Sequence, residues 1–273
     1  MNRIAFFTTR HLAAFTFGAA ALACTAAHAV TLDDLKKDGP YAITPQTLKG
    51  SGFGGGTIYS PNTAGKYAVI AVSPGFVSAE STMSETAKRI ATHGFVVVTI
   101  ATKSTLDFPP SRGTQLLAAL KSAIAETTGP VRGKIDAARR MVLGHSMGGG
   151  GALEAAAADP TLKASLPFAP WSITGSKYKT ITIPTAIFVG SVDTVAPVDK
   201  YASKFYNAIP TTTPKLLGVV TGADHSFPHA PVEPASYTSI SWAKRYGDAN
   251  IQYSPFLNGQ DAGWSQFLSN EPF

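Results

Sequence analysis

The stretch Gly144-His145-Ser146-Met147-Gly148 lies between an apolar run and an alanine-rich segment. The run Arg140-Met141-Val142-Leu143 is typical of a buried strand, and residues 149–158 have a helical pattern that stops at Asp159-Pro160. A G-x-S-x-G motif between a strand and a helix is a nucleophile elbow, a sharp turn that exposes the serine hydroxyl. We therefore predict that Ser146 is a nucleophile, provided that the chain also supplies a base and an acid.

Residues 1–29 have the pattern of a secretory signal peptide. Arg3 and Arg10 are basic, the run from residue 12 to residue 27 carries no charge, and Ala27-His28-Ala29 has the small-x-small form of a cleavage site. No later stretch approaches the length of a transmembrane helix. We therefore expect an exported protein, extracellular or periplasmic.

The composition limits what the mature chain, residues 30–273, can be. The sequence is 44% hydrophobic, enough for one large domain to fold around its own core. The only cysteine, Cys24, lies in the predicted signal peptide, where a lipid anchor on it is the alternative to simple cleavage. The mature chain then has no thiolate for a metal centre, and it has no histidine-pair zinc motif. We expect no metal and no cofactor. The net charge of +6 is scattered, which indicates no nucleic-acid partner; we expect a monomer.

Predicted strands and helices alternate along this domain. Continuous apolar runs predict buried strands, and apolar residues spaced three and four apart predict helices. The predicted strands are 53–59 at the sheet edge, 67–72, 95–100, 140–143, 164–169, 185–190 and finally 215–220. The predicted helices are 81–93, 113–127, 149–158, 199–208 and 235–246, with a loop at 102–112. The alternation implies one α/β domain, a mostly parallel sheet covered by helices on both faces.

Two histidines after Ser146 are candidates for the base. Behind a nucleophile elbow, an acid and then a histidine follow in the chain, each on a loop after a strand. His225 follows the predicted strand 215–220, which places it at the carboxyl edge of the sheet. His229, four residues later, is the alternative. We favour His225 because of its position after a strand.

Asp193 is the acid that this order favours, because it comes directly after the predicted strand ending at Gly190. Asp224 is adjacent to His225 and points away from it in most turn geometries, whereas Asp199 fits the start of a helix. The predicted order is then serine, Asp193 and His225. In that order the histidine accepts the serine proton during attack on an acyl carbon, and the aspartate fixes the imidazole tautomer.

Two backbone N–H groups are candidates for binding the oxyanion of such a reaction. One belongs to Met147, directly after the serine, and the other to an earlier loop between a strand and a helix. The loop Ser73-Pro74-Gly75-Phe76 fits this second role, and Phe76 N–H is the predicted donor.

These motifs together resemble the bacterial cutinases and PET hydrolases, a family of polyester hydrolases with the α/β-hydrolase fold. The resemblance implies the triad Ser146, Asp193 and His225 and the oxyanion donors Phe76 and Met147. The chain has no obvious lid insertion, so we expect a domain without a lid. The matching stretches run in the same order over nearly the whole mature chain: 53–59, 73–76, 93–100, 144–151, 169–171, 193–198 and 242–245.

The resemblance also implies a substrate cleft. Phe76 and Trp171 would clamp the acyl part of a polyester, with Val195 beside them and aromatic faces against a terephthalate ring. On residue pattern alone, Trp171 also fits a core position after a strand. Ser226 stands where many relatives have phenylalanine, which implies a wider cleft.

Other positions depart from the family pattern. Asn258 and Glu271 stand where relatives have the cysteines of a disulfide, so a constraint worth about 2–4 kcal/mol is missing. Thr221 replaces an aspartate that helps some relatives to bind calcium, and Tyr201 and the segment 228–234 are unusual. The favoured hypothesis is a secreted serine hydrolase of aliphatic and aromatic polyesters such as PET. The alternatives are a short-acyl carboxylesterase or lipase and a non-catalytic surface-binding protein.

Overall fold

The computed structural model describes Met1, residues 29–173 and residues 175–273. The predicted signal peptide, residues 1–29, therefore lies outside the described residues except at its two ends. Within the described ranges, no helix combines the length and the apolar character needed to cross a membrane.

Nine strands form a single sheet in the described part of the chain. In chain order they are β1 (Ile43–Leu48), β2 (Gly56–Pro61), β3 (Tyr67–Ser73), β4 (Val96–Ile100), β5 (Ile135–His145), β6 (Ala164–Phe168), β7 (Thr185–Gly190), β8 (Lys215–Val220) and β9 (Trp264–Ser269). Their order across the sheet is β1-β2-β4-β3-β5-β6-β7-β8-β9. Six adjacent strands, β4-β3-β5-β6-β7-β8, are parallel, and β1, β2 and β9 run antiparallel to their neighbours.

Six α-helices accompany these strands in the described part of the chain; the first precedes β1 and the others lie between consecutive strands. They are α1 (Leu32–Leu35), α2 (Ser84–Thr92), α3 (Pro109–Ile124), α4 (Met147–Ala158), α5 (Ala202–Ala208) and α6 (Ala235–Trp242). Shorter helical turns cover Glu80–Met83, Gly175–Thr180, Phe227–His229 and Ile251–Leu257, and one wider π turn covers Ala243–Gly247.

Both faces of the sheet are buried. Along β3, Val69 and Ala71 pack into a core with α3, α4 and α5, whereas Ile70 and Val72 pack into a second core with α2 and α6. A strand buried on both faces needs a continuous apolar sequence, which is what made the central strands predictable. The α/β class, with a mostly parallel sheet between two helical layers, is confirmed.

The sheet is wider than the sequence pattern predicted. The expected edge strand 53–59 is β2, shifted to Gly56–Pro61, and β1 lies outside it as the true edge. On the other side, β9 pairs with β8, so 215–220 is not the last strand. Only Leu48 is buried in β1 and no residue is fully buried in β9, so neither strand has the apolar run that marks a central one.

Several element ends also differ from the prediction. Helix α3 begins at Pro109, inside the predicted loop 102–112, because proline at the first position of a helix loses no hydrogen bond. Helix α6 ends at Trp242 and continues as the π turn Ala243–Gly247. Strand β5 begins at Ile135, five residues early, through a polar and partly exposed segment. Helix α5 begins at Ala202 instead of residue 199.

Buried His93 is expected to make the fold sensitive to acid. Burial lowers the pKa of His93 from 6.5 to about 4, so the unfolded chain binds a proton that the folded chain rejects. The contribution of neutral His93 to the free energy of unfolding is therefore fully present above pH 6.5. It is lost as the pH falls from 6.5 towards 4, and about 2 kcal/mol of it is gone at pH 5. Urea unfolding at a series of pH values measures this loss.

The matched variant is His93→Gln, whose amide can still donate to Lys37 O, the acceptor that His93 Nε2 contacts at 3.0 Å. We expect a shallower decline between pH 6.5 and pH 5 in this variant. Carboxylates such as Asp159, whose pKa is already lower than 3.8, lose their contribution only in more acidic solution. Equal declines in the two proteins would contradict the assignment to His93.

Candidate active site

The elbow is built as a strained turn between β5 and α4. Ser146 has φ 56° and ψ −119°, a left-handed backbone that non-glycine residues rarely adopt and that costs about 1–3 kcal/mol. Ser146 N–H donates to Phe168 O at 3.0 Å, and its own carbonyl accepts from Trp171 N–H at 3.0 Å. A Cβ at Gly148 would lie 2.3 Å from Ser73 O, so glycine is needed where α4 meets the end of β3.

Ser146, His225 and Asp193 form a continuous chain of hydrogen bonds at the carboxyl edge of the sheet. Ser146 Oγ lies 2.9 Å from His225 Nε2, and His225 Nδ1 lies 2.7 Å from Asp193 Oδ2. Asp193 follows β7 and His225 follows β8, so parallel strands bring distant residues together. The structure thus joins the three side chains that the sequence order selected.

Asp193 is held as a buried carboxylate. Burial is the largest influence on its pKa and acts to raise it, but hydrogen bonds from His225 and from the backbone outweigh burial, and the pKa lies below 3.8. The Oδ1 atom accepts from Val195 N–H at 2.9 Å and Ala196 N–H at 2.7 Å. Because an ionised carboxylate only accepts, His225 must carry its hydrogen on Nδ1, which leaves Nε2 free to accept the serine proton.

His145 and His229 extend this group into a cluster of three histidine rings. The ring of His145 lies 4.8 Å from that of His225 and 4.9 Å from that of His229. His145 Nε2 lies 2.8 Å from His225 O, so this nitrogen carries the hydrogen and donates. Burial, and to a lesser extent neighbouring His225, lower the pKa of His145 to about 3, so the ring stays neutral. Sequence reasoning did not assign His145 a role.

The serine opens into a cleft of about 440 Å³. Phe76, Val195 and Ser226, three of the residues predicted to contact substrate, line it. Phe76 is 45% exposed and Val195 is 56% exposed, so both offer apolar surface to a ligand. Gly75 lies directly against the serine, because a Cβ there would be 3.2 Å from Ser146 Cβ.

Trp171, predicted to be half of an aromatic clamp, has a different setting. Its half-buried indole packs between two rings, with centroid distances of 6.2 Å to Phe108 and 5.9 Å to Tyr201. It is not one of the residues that line the 440 Å³ cleft in the described part of the chain. The clamp of Phe76 and Trp171 therefore stays a prediction.

The arrangement is suited to acyl transfer. It combines a hydroxyl nucleophile, an imidazole that can accept its proton and a carboxylate that orients the imidazole. The N-terminus of α4 leaves backbone N–H groups unpaired by the helix itself, directly beside the serine. Among residues 29–173 and 175–273 there is no cluster of three or more His, Cys, Asp or Glu side chains that could hold a metal ion.

Comparison with known proteins places the chain among ester hydrolases. Residues 28–271 match the model of the PET hydrolase-like family. The chain is 42% identical over 222 residues to Cutinase 1 of Thermobifida cellulosilytica, covering 80% of this chain and 84% of the relative. It is 40% identical over 224 residues to the bis(hydroxyethyl) terephthalate hydrolase of Streptomyces coelicolor, covering 80% and 71%. The chain belongs to the PET hydrolase-like family of α/β-hydrolases.

Proposed function

We propose that the protein is a serine ester hydrolase that cleaves polyesters through an acyl-enzyme on Ser146. The observation that carries the proposal is the hydrogen-bonded chain Ser146–His225–Asp193 at the floor of an open cleft. In the first half-reaction, His225 Nε2 takes the Ser146 proton while Oγ attacks the ester carbonyl carbon. The imidazolium then gives that proton to the departing alcohol as the carbon–oxygen bond breaks.

The second half-reaction repeats these steps with water. His225 takes a proton from water as the oxygen attacks the acyl carbon, and returns a proton to Ser146 Oγ as the acid leaves. Ionised Asp193 stabilises the imidazolium that forms in each half. Each cycle converts one ester bond and one water into a carboxylic acid and an alcohol.

The oxyanion donors in this proposal are Met147 N–H and Phe76 N–H. Met147 is the first residue of α4, where the N–H groups have no intrahelical acceptor and the helix dipole favours negative charge. Phe76 lines the cleft, one residue after the glycine that touches the serine. In the proposal both N–H groups donate to the same oxygen, the one that becomes negatively charged in the tetrahedral intermediate.

A polymer is the proposed substrate because apolar side chains surround the cleft. Phe76 and Val195 line it and are about half exposed, and the neighbouring Val77, Leu106 and Phe108 are between 51% and 62% exposed. Contiguous exposed apolar surface marks a binding region, and in the proposal these side chains form one beside the serine. The name of one relative, Cutinase 1, points the same way, and the name of the other, a bis(hydroxyethyl) terephthalate hydrolase, supports an aromatic ester as substrate. A solid polymer cannot enter a cell, which agrees with the export proposed from residues 1–29.

Product analysis on purified protein tests the substrate. We expect acid and alcohol release from films of an aliphatic polyester and of PET, together with hydrolysis of soluble p-nitrophenyl esters. Hydrolysis of the soluble esters with no release from any film would instead identify a short-acyl carboxylesterase. Hydrolysis of neither would contradict the proposed reaction itself.

Replacing exposed Leu106 with serine is expected to weaken film binding without affecting chemistry. Leu106 is 58% exposed in the loop whose Thr105 O accepts from Val77 N–H at 2.9 Å, so it lies beside the cleft. Loss of its buried area against the polymer should weaken adsorption by about tenfold. Adsorption isotherms and film release should fall together, while kcat for a p-nitrophenyl ester stays unchanged.

The control is Ile251→Ser, which removes a side chain that is 70% exposed in the C-terminal turn Ile251–Leu257. This change should leave both film release and soluble turnover as they are. An equal loss of adsorption in the two variants would show that the polymer binds through general surface hydrophobicity instead of the rim of the cleft.

A further inference from the structure

Arg112 is a fully buried cation that no catalytic step above uses. It lies in the first turn of α3 and has 0% exposure. Its hydrogen-bond acceptors are three backbone carbonyls: Nε donates to Asp107 O at 2.7 Å, Nη1 to Pro74 O at 3.0 Å and Nη2 to Thr105 O at 2.9 Å. Burial lowers its pKa to about 10, so the group still carries its charge at neutral pH. The nearby Asp107 carboxylate acts to raise this pKa and the three carbonyls accept from the guanidinium, but removing a cation from water still costs the fold free energy.

Two of these carbonyls fix the backbone on either side of Phe76. Pro74 O is held directly by Arg112. Thr105 O accepts from Arg112 and also from Val77 N–H, at 2.9 Å in both cases. The peptide that carries Phe76 N–H is therefore anchored just before and just after by the same guanidinium.

The backbone between these anchors is strained. Val77 has φ 51°, and a β-branched residue with a positive φ is an outlier that persists only where its surroundings enforce it. The bond from Val77 N–H to Thr105 O holds the backbone at this residue, and Arg112 donates to the same carbonyl. Without Arg112, both the loop and the direction of Phe76 N–H lose their support.

Arg112 also connects this loop to the nucleophile helix. A Cβ at Gly151 of α4 would lie 2.7 Å from Arg112 Cβ, so α3 packs directly on α4 at this point. A Cβ at Gly148 would lie 2.4 Å from Pro74 O, the carbonyl that Arg112 holds. Met147 N–H, on the first turn of α4, and Phe76 N–H are thereby attached to one rigid unit.

We propose that Arg112 is a positioning residue that sets the geometry of the oxyanion hole by holding Pro74 O and Thr105 O. The inference rests on the proposed ester hydrolysis, in which Phe76 and Met147 bind the oxyanion. Arg112 touches no substrate and acts only through the backbone of the loop. Its loss therefore weakens binding of the tetrahedral intermediate more than binding of the planar ester.

The test compares Arg112→Ala with the wild type on a soluble p-nitrophenyl ester. We expect kcat to fall by about a hundredfold, with KM within about threefold of the wild-type value, because a displaced donor acts on the transition state. A boronic acid inhibitor forms a tetrahedral adduct on the serine and probes the same donors. Its inhibition constant should rise in Arg112→Ala by a factor similar to the fall in kcat.

Guanidinium rescue separates positioning from a general structural role. Truncation to alanine leaves a guanidinium-shaped space beside Pro74 O and Thr105 O. Millimolar guanidinium chloride should restore part of the lost kcat of Arg112→Ala and should leave the kcat of the wild type unchanged. The control is Arg139→Ala, which removes another guanidinium bonded to a backbone carbonyl, Lys66 O, and to Asp136 and Asp248, far from the cleft. That change should lower Tm and leave kcat unchanged.

A kcat for Arg112→Ala within about threefold of wild type would overturn the inference. So would a loss of kcat with no loss of boronic acid affinity. If the alanine variant does not fold, Arg112→Lys decides: one ammonium cannot hold both carbonyls with the spacing of the guanidinium, and kcat should fall while the protein stays folded. Failure of the proposed function is separate, because it would appear as a wild-type protein without ester turnover.

Discussion

Replacing Ser146 with alanine is expected to lower kcat for a p-nitrophenyl ester by about six orders of magnitude, the scale seen when a member of a serine–histidine unit is lost. The Oγ atom that lies 2.9 Å from His225 Nε2 is then missing, so no acyl-enzyme can form. Alanine keeps the Cβ and the backbone of the elbow, so folding and the cleft should persist. Initial rates and unfolding curves measured on the same preparation check both expectations.

Two further measurements sharpen this result. An organophosphate that phosphorylates active-site serines should label the wild-type peptide containing Ser146 and leave the alanine variant unlabelled, as detected by mass spectrometry. The control is Ser241→Ala, which removes a buried hydroxyl in α6 that donates to Tyr237 O, and should retain turnover. Retained turnover in Ser146→Ala would remove this residue from the mechanism.

The same variant separates catalysis from binding. A non-catalytic surface-binding protein on a hydrolase fold would adsorb to polyester with or without Ser146 and would show no ester turnover in either form. The proposed enzyme should lose turnover while adsorption to the film is unchanged. In the proposal, adsorption depends on the exposed apolar side chains beside the cleft, such as Leu106, and the serine hydroxyl adds almost no area to them.

The sequence predicted the central part of the fold because that part depends on local patterns. Each of Ser146, Asp193 and His225 follows an apolar run, and parallel strands bring their carboxyl ends to one edge. The order of three residues along the chain was thus enough to select a group that meets in space. Strands β1 and β9 were missed because an edge strand needs little apolar sequence and is stabilised by its neighbour.

Contacts between loops that are distant in the chain could not be predicted from the sequence pattern. Arg112 is a single cation on a mostly apolar helix face, and the sequence around it does not indicate a function. Its partner Pro74 O is distant in the chain, so the sequence pattern does not predict the contact. His145 occupies the variable position of the G-x-S-x-G motif, where the motif itself assigns no role. The setting of Trp171 could not be predicted either. It depends on ring contacts with Phe108 and Tyr201, and the three residues lie in three different loops or turns that are far apart in the chain.

The carboxylate of Asp193 has a fixed orientation, and this makes Asp193→Asn the second large expected effect. Oδ1 accepts from the backbone N–H groups of Val195 and Ala196, whereas Oδ2 faces His225 Nδ1. An asparagine must keep its carbonyl oxygen towards the two backbone donors, because its NH₂ group cannot accept. Its NH₂ group then faces His225 Nδ1.

This reversal forces the wrong tautomer on the histidine. With an NH₂ donor opposite Nδ1, the imidazole must accept there and carry its hydrogen on Nε2, where it can no longer take the Ser146 proton. We expect kcat for a soluble ester to fall by about ten-thousandfold at neutral pH, with little change in KM. Stopped-flow or long-timescale assays after active-site titration measure the residual rate.

Asp224→Asn is the matched control for this change. Asp224 is adjacent to His225 in sequence, but its exposed carboxylate accepts from Ser226 N–H and Ser226 Oγ, at 2.9 and 2.8 Å, whereas Asp193 is the carboxylate bonded to His225 Nδ1. The same chemical change there should alter kcat by no more than about threefold. Comparable losses at the two positions would mean that negative charge near His225 matters and tautomer control does not. A loss confined to Asp193→Asn would assign the effect to the hydrogen bond at Nδ1.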